Sequence, residues 1–310
     1  MVQEKMTYPK PGDQGGRLMR RLVSFLRKQG IGLPIDSDIL IATSGGPDSI
    51  ALAHLLVHFG RRIVKRENIH LLHVNHHWRA DESDADEAFV QALGKTWEIP
   101  VIVRHLEPPH GSSGESWEEL ARKERKAIYI QESQKLGGAF VFTGHQADDL
   151  AETLIWRLCT GAMDSHGGGI YVQHKGEVRP LLTTRKSELI QYLKEVGQSF
   201  RKDSTNESER FLRSRMRKVL MPELERLFPQ AVDHLVKTAL DYQNQGGWHA
   251  PRPGTHQASQ VHTWVQELQD RLLKESGVKL RRAHVKQLEK GNEVCLPGGW
   301  RLTRNLNSKK

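Results

Sequence analysis

Two cysteines in 310 residues, Cys159 and Cys295, set the first limits. They lie far apart and neither belongs to a Cys-x-x-Cys pair, which argues against a disulfide scaffold, a zinc knuckle or a thiol redox centre and suits a reducing cytoplasm. No run of about 18 apolar residues is present, so no segment reads as a membrane-spanning helix. The N-terminus lacks the apolar stretch and the small-residue cleavage pattern of a secretory signal. Residues 1–16 are polar and read as a loose arm. Internal repeats and low-complexity tracts are also lacking.

What remains is a chain with 37% hydrophobic and 27% charged residues, the balance of a soluble globular protein. Its length allows one large domain or two ordinary ones. The formal net charge is +9. An excess of that size favours a polyanionic partner, nucleic acid first, although a merely basic surface would give the same sum.

Strand-like and helix-like segments alternate through the first two thirds. Leu18, Leu22, Phe25 and Leu26 recur at helical spacing, with Gly30 where a C-cap belongs. Asp38–Ala42, Ile69–Val74, Val101–Leu106 and Ala139–Thr143 read as strands. Ser49–Phe59, Asp81–Trp97, Glu115–Lys135 and Gln146–Leu158 read as the helices between and after them. This predicts an α/β fold, an open, mostly parallel sheet with helices on both faces, whose ligands bind at the carboxyl ends of the strands. The alternation stops near Leu182. After one more helix, Arg185–Val196, and a basic stretch from Arg201 to Lys218, the chain reads as mostly helical. It closes on a hairpin turning at Pro297–Gly299. We expect a catalytic domain over 17–216 and a smaller, mainly helical domain over 217–310.

Ser44-Gly45-Gly46-Pro47-Asp48-Ser49 falls between the first strand and its helix. The glycines let successive N–H groups turn toward one anion, and the helix presents its positive end to the same point. Ser44 and Ser49 add hydroxyl donors. Asp48 would repel phosphates unless it holds a cation such as Mg2+ between itself and them. A Gly-Gly turn with Pro and Asp opening a helix is common without function; the six-residue string in this position is far more specific. Gly94-Lys95-Thr96 is not a kinase-type loop, because Phe89 stands where the first glycine is required. A second constellation follows the fourth strand. His145, Asp148 and Glu152, at i, i+3 and i+7, share one helix face at the ligand edge, with Asp149 one residue away. Acids near a helix N-terminus are also favoured by its dipole alone.

The string Ser44–Ser49 resembles that of the PP-loop ATP pyrophosphatases, of the adenine nucleotide alpha hydrolase-like fold, which cleave ATP between its α and β phosphates. With Gly144-His145-Gln-Ala-Asp148-Asp149-Leu-Ala-Glu152-Thr153 the likeness narrows to the tRNA(Ile)-lysidine synthetases. Arg179-Pro-Leu-Leu182, Arg185, Tyr192, Asp203-Ser-Thr-Asn206, Arg213, Arg217 and Pro222-Glu-Leu224 extend it. Leu280–Arg304 resembles the family's small second domain. The resemblance implies adenylation of the C2 oxygen of a wobble cytidine in tRNA(Ile) with a CAU anticodon, then displacement of AMP by free L-lysine. It implies ATP and Mg2+ as cofactors. No membrane and no obligate protein partner are expected, and a homodimer is left open.

By the same resemblance, Ser44, Gly45, Gly46, Pro47, Asp48 and Ser49 bind the triphosphate, Asp48 through the metal. Asp148, Asp149 and Glu152 handle the lysine amine, and one of these acids or His145 accepts its proton. His145 also borders the nucleotide. Arg122 and Arg125, in an Ala-Arg-x-x-Arg segment, face the nucleotide or the anticodon, Arg122 as a catalytic residue and Arg125 as a nucleotide ligand. Lys126 stands where the family has an aromatic. Thr160–Gly169 departs from the family's Arg-Gly-Ser/Thr-Gly stretch, and Ser214 replaces an asparagine. His76-His77-Trp78-Arg79, in a substrate-contacting position, could mimic a metal cluster with His73, although such histidines are more often structural. Arg210, Arg213 and Arg217 form a stripe that would bind RNA phosphates or simply be solvated. The rival readings are a PP-loop tRNA thiolase, which commonly carries paired cysteines, and a catalytically silent RNA-binding relative.

Overall fold

The computed structural model describes residues 13–32, 34–77, 81–106, 117–163, 169–201, 212–244, 294–296 and 300–302. The chain divides into two compact units, 1–241 and 242–310. The first extends past the boundary expected at Met216, and ion pairs show why: Arg217 and Glu225, beyond that point, are bonded to Glu152 and Arg185 within the sheet-bearing part.

Helix α1 (Gln14–Lys28) begins inside the segment read as an arm. Leu18, Leu22, Phe25 and Leu26 are buried on its inner face. It ends as the sequence predicts: Gly30 takes φ +68°, and the Ile31 and Gly30 amides close on the Leu26 and Arg27 carbonyls at 3.0 and 3.1 Å. At its start, a Cβ on Gly15 would lie 2.4 Å from the Phe59 ring and 2.8 Å from that of Tyr192, so the helix docks through a glycine.

Strand β1 (Ile39–Ala42) leads into α2 (Pro47–Phe59), β2 (Ile69–Asn75), α3 (Asp81–Trp97), β3 (Val101–His105), α4 (Trp117–Lys135), β4 (Phe140–Phe142) and α5 (Ala147–Thr160). A short hairpin, β5 (Gln173–His174) and β6 (Glu177–Val178), comes next, then α6 (Lys186–Glu195). The six strands lie in the order β3-β2-β1-β4-β6-β5, with β5 antiparallel to β6 and every other pairing parallel. The hairpin was not legible in the sequence, since two-residue strands leave no period to read.

The chain of β1 is apolar because it is covered on both faces: Ile39, Leu40 and Ile41 are fully buried. Leu40 packs with Leu72 and Val141 under Ile128 and Tyr129 of α4 and Leu136 just after it. Ile39 and Ile41 point the other way, and α2, which packs on β1, joins α1 and α6. Gly94 meets a packing need, because a Cβ there would fall 2.0 Å from Val101 Cγ2; the Gly-Lys-Thr triplet is thus a helix–strand contact.

Beyond α6 the first unit continues through α7 (Leu212–Arg215), a π-helical turn (Met216–Leu220), α8 (Met221–Leu227) and α9 (Ala231–Asn244). In the second unit, β7 (Val294–Leu296) pairs antiparallel with β8 (Trp300–Leu302), in register Val294 with Leu302. The turn expected at Pro297–Gly299, and the helices expected in this unit, lie outside the described residues.

Candidate active site

Strand order reverses between β1 and β4, which puts the ligand crevice of a doubly wound sheet at their carboxyl ends. Both signature segments emerge there. They touch: a Cβ on Gly144 would sit 2.9 Å from the Ser49 amide nitrogen and 3.0 Å from the Asp48 carbonyl carbon. Glycine at 144 is therefore what lets the two loops meet.

In the phosphate loop, Gly45 adopts φ +91°, a conformation disfavoured for side-chain-bearing residues. Gly46 is the N-cap of α2 and Pro47 opens it, with no side chain capping the helix. Its first-turn amides are thus left for an anion. The serines brace the turn. Ser49 Oγ donates to the Gly46 carbonyl at 2.9 Å and accepts from the Ser44 amide at 3.2 Å, and the two hydroxyls lie 3.2 Å apart. The Arg201 amide bonds the Gly45 carbonyl at 2.9 Å, closing the outer side.

Asp48 lies in the first turn of α2. Its Oδ1 is buried with no hydrogen-bond partner among the described residues, and its Oδ2 is 3.8 Å from Lys186 Nζ. Desolvation lifts its pKa to about 6, against the pull of Lys186, with Asp149 adding to the rise. A buried carboxylate oxygen without a donor, beside a phosphate-binding turn, is the chemistry of a divalent-cation ligand. Asp48 fits Mg2+.

The acids of α5 are paired. Gln146, not an acid, caps the helix: its Oε1 accepts from the Asp148 amide at 2.6 Å, and Asp149 Oδ2 accepts from the Gln146 amide at 3.1 Å, completing a capping box. Asp148 accepts from Arg185 Nε at 3.0 Å, from its terminal nitrogen at 2.8 Å and from the Lys186 amide at 2.8 Å. Arg217, on the π-helical turn, grips both oxygens of Glu152 at 2.9 and 2.8 Å and reaches Asp149 Oδ1 at 3.4 Å. Burial raises the Asp149 pKa, against its bond to the Gln146 amide. The Glu152 bond raises that of Arg217. Gln146, Asp148, Glu152, Lys186, Arg217 and Glu225 line a cleft closed by Met221 and Pro222.

His145 is not on the helix face as its spacing implied. The helix starts at Ala147, and His145 sits in the preceding loop with Nδ1 3.0 Å from Thr143 Oγ1. Desolvation, then Arg179 and Arg122, push its pKa down to about 3, so the ring is neutral. Arg122 and Arg125, on α4, act on His145 electrostatically from this side of the crevice. Of the stripe, Arg217 faces the acids; Arg210 and the Arg213 side chain lie outside the described residues. His73 is structural: its Nδ1 is 2.8 Å from the Thr43 carbonyl. His77 pairs with His105 at 2.8 Å, Trp78 and Arg79 lie outside the described residues, and no group of three or more metal-ligating side chains is found among the described ones.

Sequence reasoning overlooked Lys186 and Glu225, which carry no motif signal and are placed by the approach of α6 and α8 to α5. It also overlooked the capping role of Gln146, which lies within the second signature.

Residues 17–224 match the family model of the PP-loop domain. The chain belongs to that ATP-binding family. It is 35% identical over 232 residues to a tRNA(Ile)-lysidine synthase of Geobacter sulfurreducens, covering 72% of this chain and 47% of that protein. To the tRNA(Ile)-lysidine synthase of Symbiobacterium thermophilum it is 34% identical over 228 residues, with 72% and 47% covered. The chain thus spans about half the length of these curated relatives. Among solved structures, the U34-tRNA thiolase NcsA of Methanococcus maripaludis, with its [4Fe-4S] cluster, aligns with a TM-score of 0.61 at 17% identity over 73% of this chain and 77% of that one. That likeness is one of fold.

Proposed function

We propose that the chain ligates free lysine to C2 of the wobble cytidine of tRNA(Ile) bearing a CAU anticodon, using ATP and releasing AMP and pyrophosphate. The observation that carries this reading is the meeting of two loops at Gly144. It puts a lysine-free phosphate loop with a bare buried carboxylate beside a helix end bearing three acids.

In the first step the cytidine O2 attacks the α-phosphorus and pyrophosphate leaves. Ser44–Ser49 hold the phosphates, and Asp48 would hold Mg2+, which supplies positive charge to them when bound. Lys186, which neighbours Asp48, adds a second cation near the departing pyrophosphate. Arg122 and Arg125, which act on His145 electrostatically, would face the nucleotide and the anticodon. His145, neutral and hydrogen-bonded to Thr143, borders the nucleotide rather than serving as a base.

In the second step the lysine ε-amine attacks C2 and AMP departs. The amine arrives as a cation, with an ordinary pKa of about 10.4, and must lose a proton. Among the acids, Asp148 is fully engaged with α6 and Glu152 with Arg217. Asp149 keeps one oxygen with a single long contact, and burial increases its proton affinity. We assign it the role of acceptor. Glu152 and Asp148 hold the positive charges that shape the cleft. We place it in the cytoplasm, which suits a chain with two cysteines and no Cys-x-x-Cys pair.

Pyrophosphate release from ATP, measured with and without tRNA(Ile) carrying CAU, tests the first step. Release that requires this tRNA supports the reading. Release indifferent to it, or absent, contradicts it.

A further inference from the structure

We propose that Tyr171 and His174, on and before the β5–β6 hairpin, form a stacking platform for an unpaired nucleobase of the RNA, adjacent to the reacting one. The proposal rests on RNA being the substrate, and assigns the hairpin a part in holding it.

The two rings are stacked, centroids 6.3 Å apart at 29°. Tyr171 is 41% exposed, although it is large and apolar, and His174 is exposed too. An exposed aromatic pair costs little when solitary. This one is held in place. The buried Arg179 guanidinium donates to the Tyr171 carbonyl at 2.9 Å and pairs with the buried Glu177, while its amide bonds the Val172 carbonyl at 2.8 Å. Val172 itself is buried. The hairpin turns through Lys175 and Gly176 at φ +50° and +81°, the signs of a tight type I′ turn, which fixes the strands on either side. A buried arginine thus anchors the backbone while the ring faces outward.

The surroundings are cationic. Lys126 of α4, Lys175 and Arg179 act on His174, Arg122 acts on Lys126, and the carboxylate among them, Glu177, is paired with Arg179. Desolvation, then Lys175, Arg179 and Lys126, lower the His174 pKa, which favours the uncharged ring; the ring adds a flat face and the lysines add the charge. Aromatic faces interleaved with cations are the pattern that binds single-stranded nucleic acid, because every base has a π-face and every phosphate a charge. The hairpin also borders the strand that leads into the crevice. β6 pairs with β4, and the Thr143 amide, two residues before His145, bonds the Val178 carbonyl at 3.0 Å.

The test uses the full chain and two fluorescent probes, a 17-nucleotide RNA stem-loop with a CAU loop and a blunt RNA duplex of matching length. Wild type should prefer the stem-loop. Tyr171→Ala should weaken stem-loop binding by about 5- to 100-fold, the range for losing one stacked base, with its salt dependence unchanged and ATP binding intact. Tyr171→Phe should bind like wild type. Lys126→Ala should instead flatten the salt dependence by about 0.7 log unit per lost contact. Tyr171→Ala binding within twofold of wild type would overturn the platform alone. Wild type that binds neither probe would overturn the RNA substrate and the platform with it.

Discussion

Arg217 closes on both carboxylate oxygens of Glu152, at 2.9 and 2.8 Å, from a π-helical turn that interrupts the helical segment it sits on. Such turns cost regular hydrogen bonding and recur at functional sites. Here the widened turn carries the guanidinium that neutralises the acids of α5. Arg217→Ala would leave Glu152, 8% exposed, without its bidentate partner. Because Arg217 is itself nearly half exposed, we expect a loss of about 1–3 kcal/mol rather than the larger penalty of a fully buried pair, read as a lower urea midpoint. Glu152→Gln with Arg217→Met should recover part of it.

Gly144 gives the sharpest steric prediction. A methyl group there must displace the Ser49 amide or the Asp48 carbonyl, both backbone. Gly144→Ala should raise the dissociation constant for ATP at least about tenfold and lower stability by about 1–3 kcal/mol. Isothermal titration and thermal unfolding report the two effects separately.

Asp48→Asn should leave the protein as stable as wild type or more so, because it removes a buried carboxyl whose Oδ1 has no donor among the described residues. Mg2+-dependent AMP formation should fall by about 100-fold or more. Wild-type rates in a folded variant would remove the metal role from Asp48.

Stability should depend on pH through two histidines remote from the crevice. The His54 and His58 rings lie tilted at 37° with centroids 4.2 Å apart, and His54 bonds the Tyr192 hydroxyl. Burial depresses their pKa values to about 3 and about 4. Below pH 6.5 the unfolded chain binds protons that the folded one refuses, so stability is lost as pH falls from 6.5 toward 4. His58 Nε2 has no partner among the described residues. His58→Leu should therefore flatten this dependence, by at most about 1.4 kcal/mol per pH unit, in urea titrations at pH 7.5 and 5.

The parallel sheet was legible because each buried strand is a short apolar run and each helix carries its own signals. Gly30 ends α1, and Asp81–Trp97 was delimited to the residue. The phosphate loop was legible because its backbone conformation demands glycine at Gly45. The pairing inside the site was not. Arg217 read as part of an outward stripe, because a helix of regular pitch was assumed where the chain makes a π-helical turn. His145 read as helical, because spacing alone does not show that Gln146 caps the helix. Lys186 and Glu225 reach the site through tertiary packing, which leaves no local pattern.

Asp149→Asn separates the two chemical steps. It keeps the capping hydrogen bond in reach of an amide oxygen but removes the proposed proton acceptor. Lysine transfer should fall by about 100-fold or more while pyrophosphate release changes by less than about tenfold. Equal losses in both would return Asp149 to a capping role.

The most direct measurement is the incorporation of radiolabelled free lysine into tRNA(Ile) with a CAU anticodon, with ATP and Mg2+ supplied. The chain should attach the label to this tRNA, releasing one AMP and one pyrophosphate for each lysine, and should attach none when the wobble cytidine is replaced by uridine. Pyrophosphate release with this tRNA but no attached lysine, at any lysine concentration, would contradict the lysine-ligating function while leaving the PP-loop family in place.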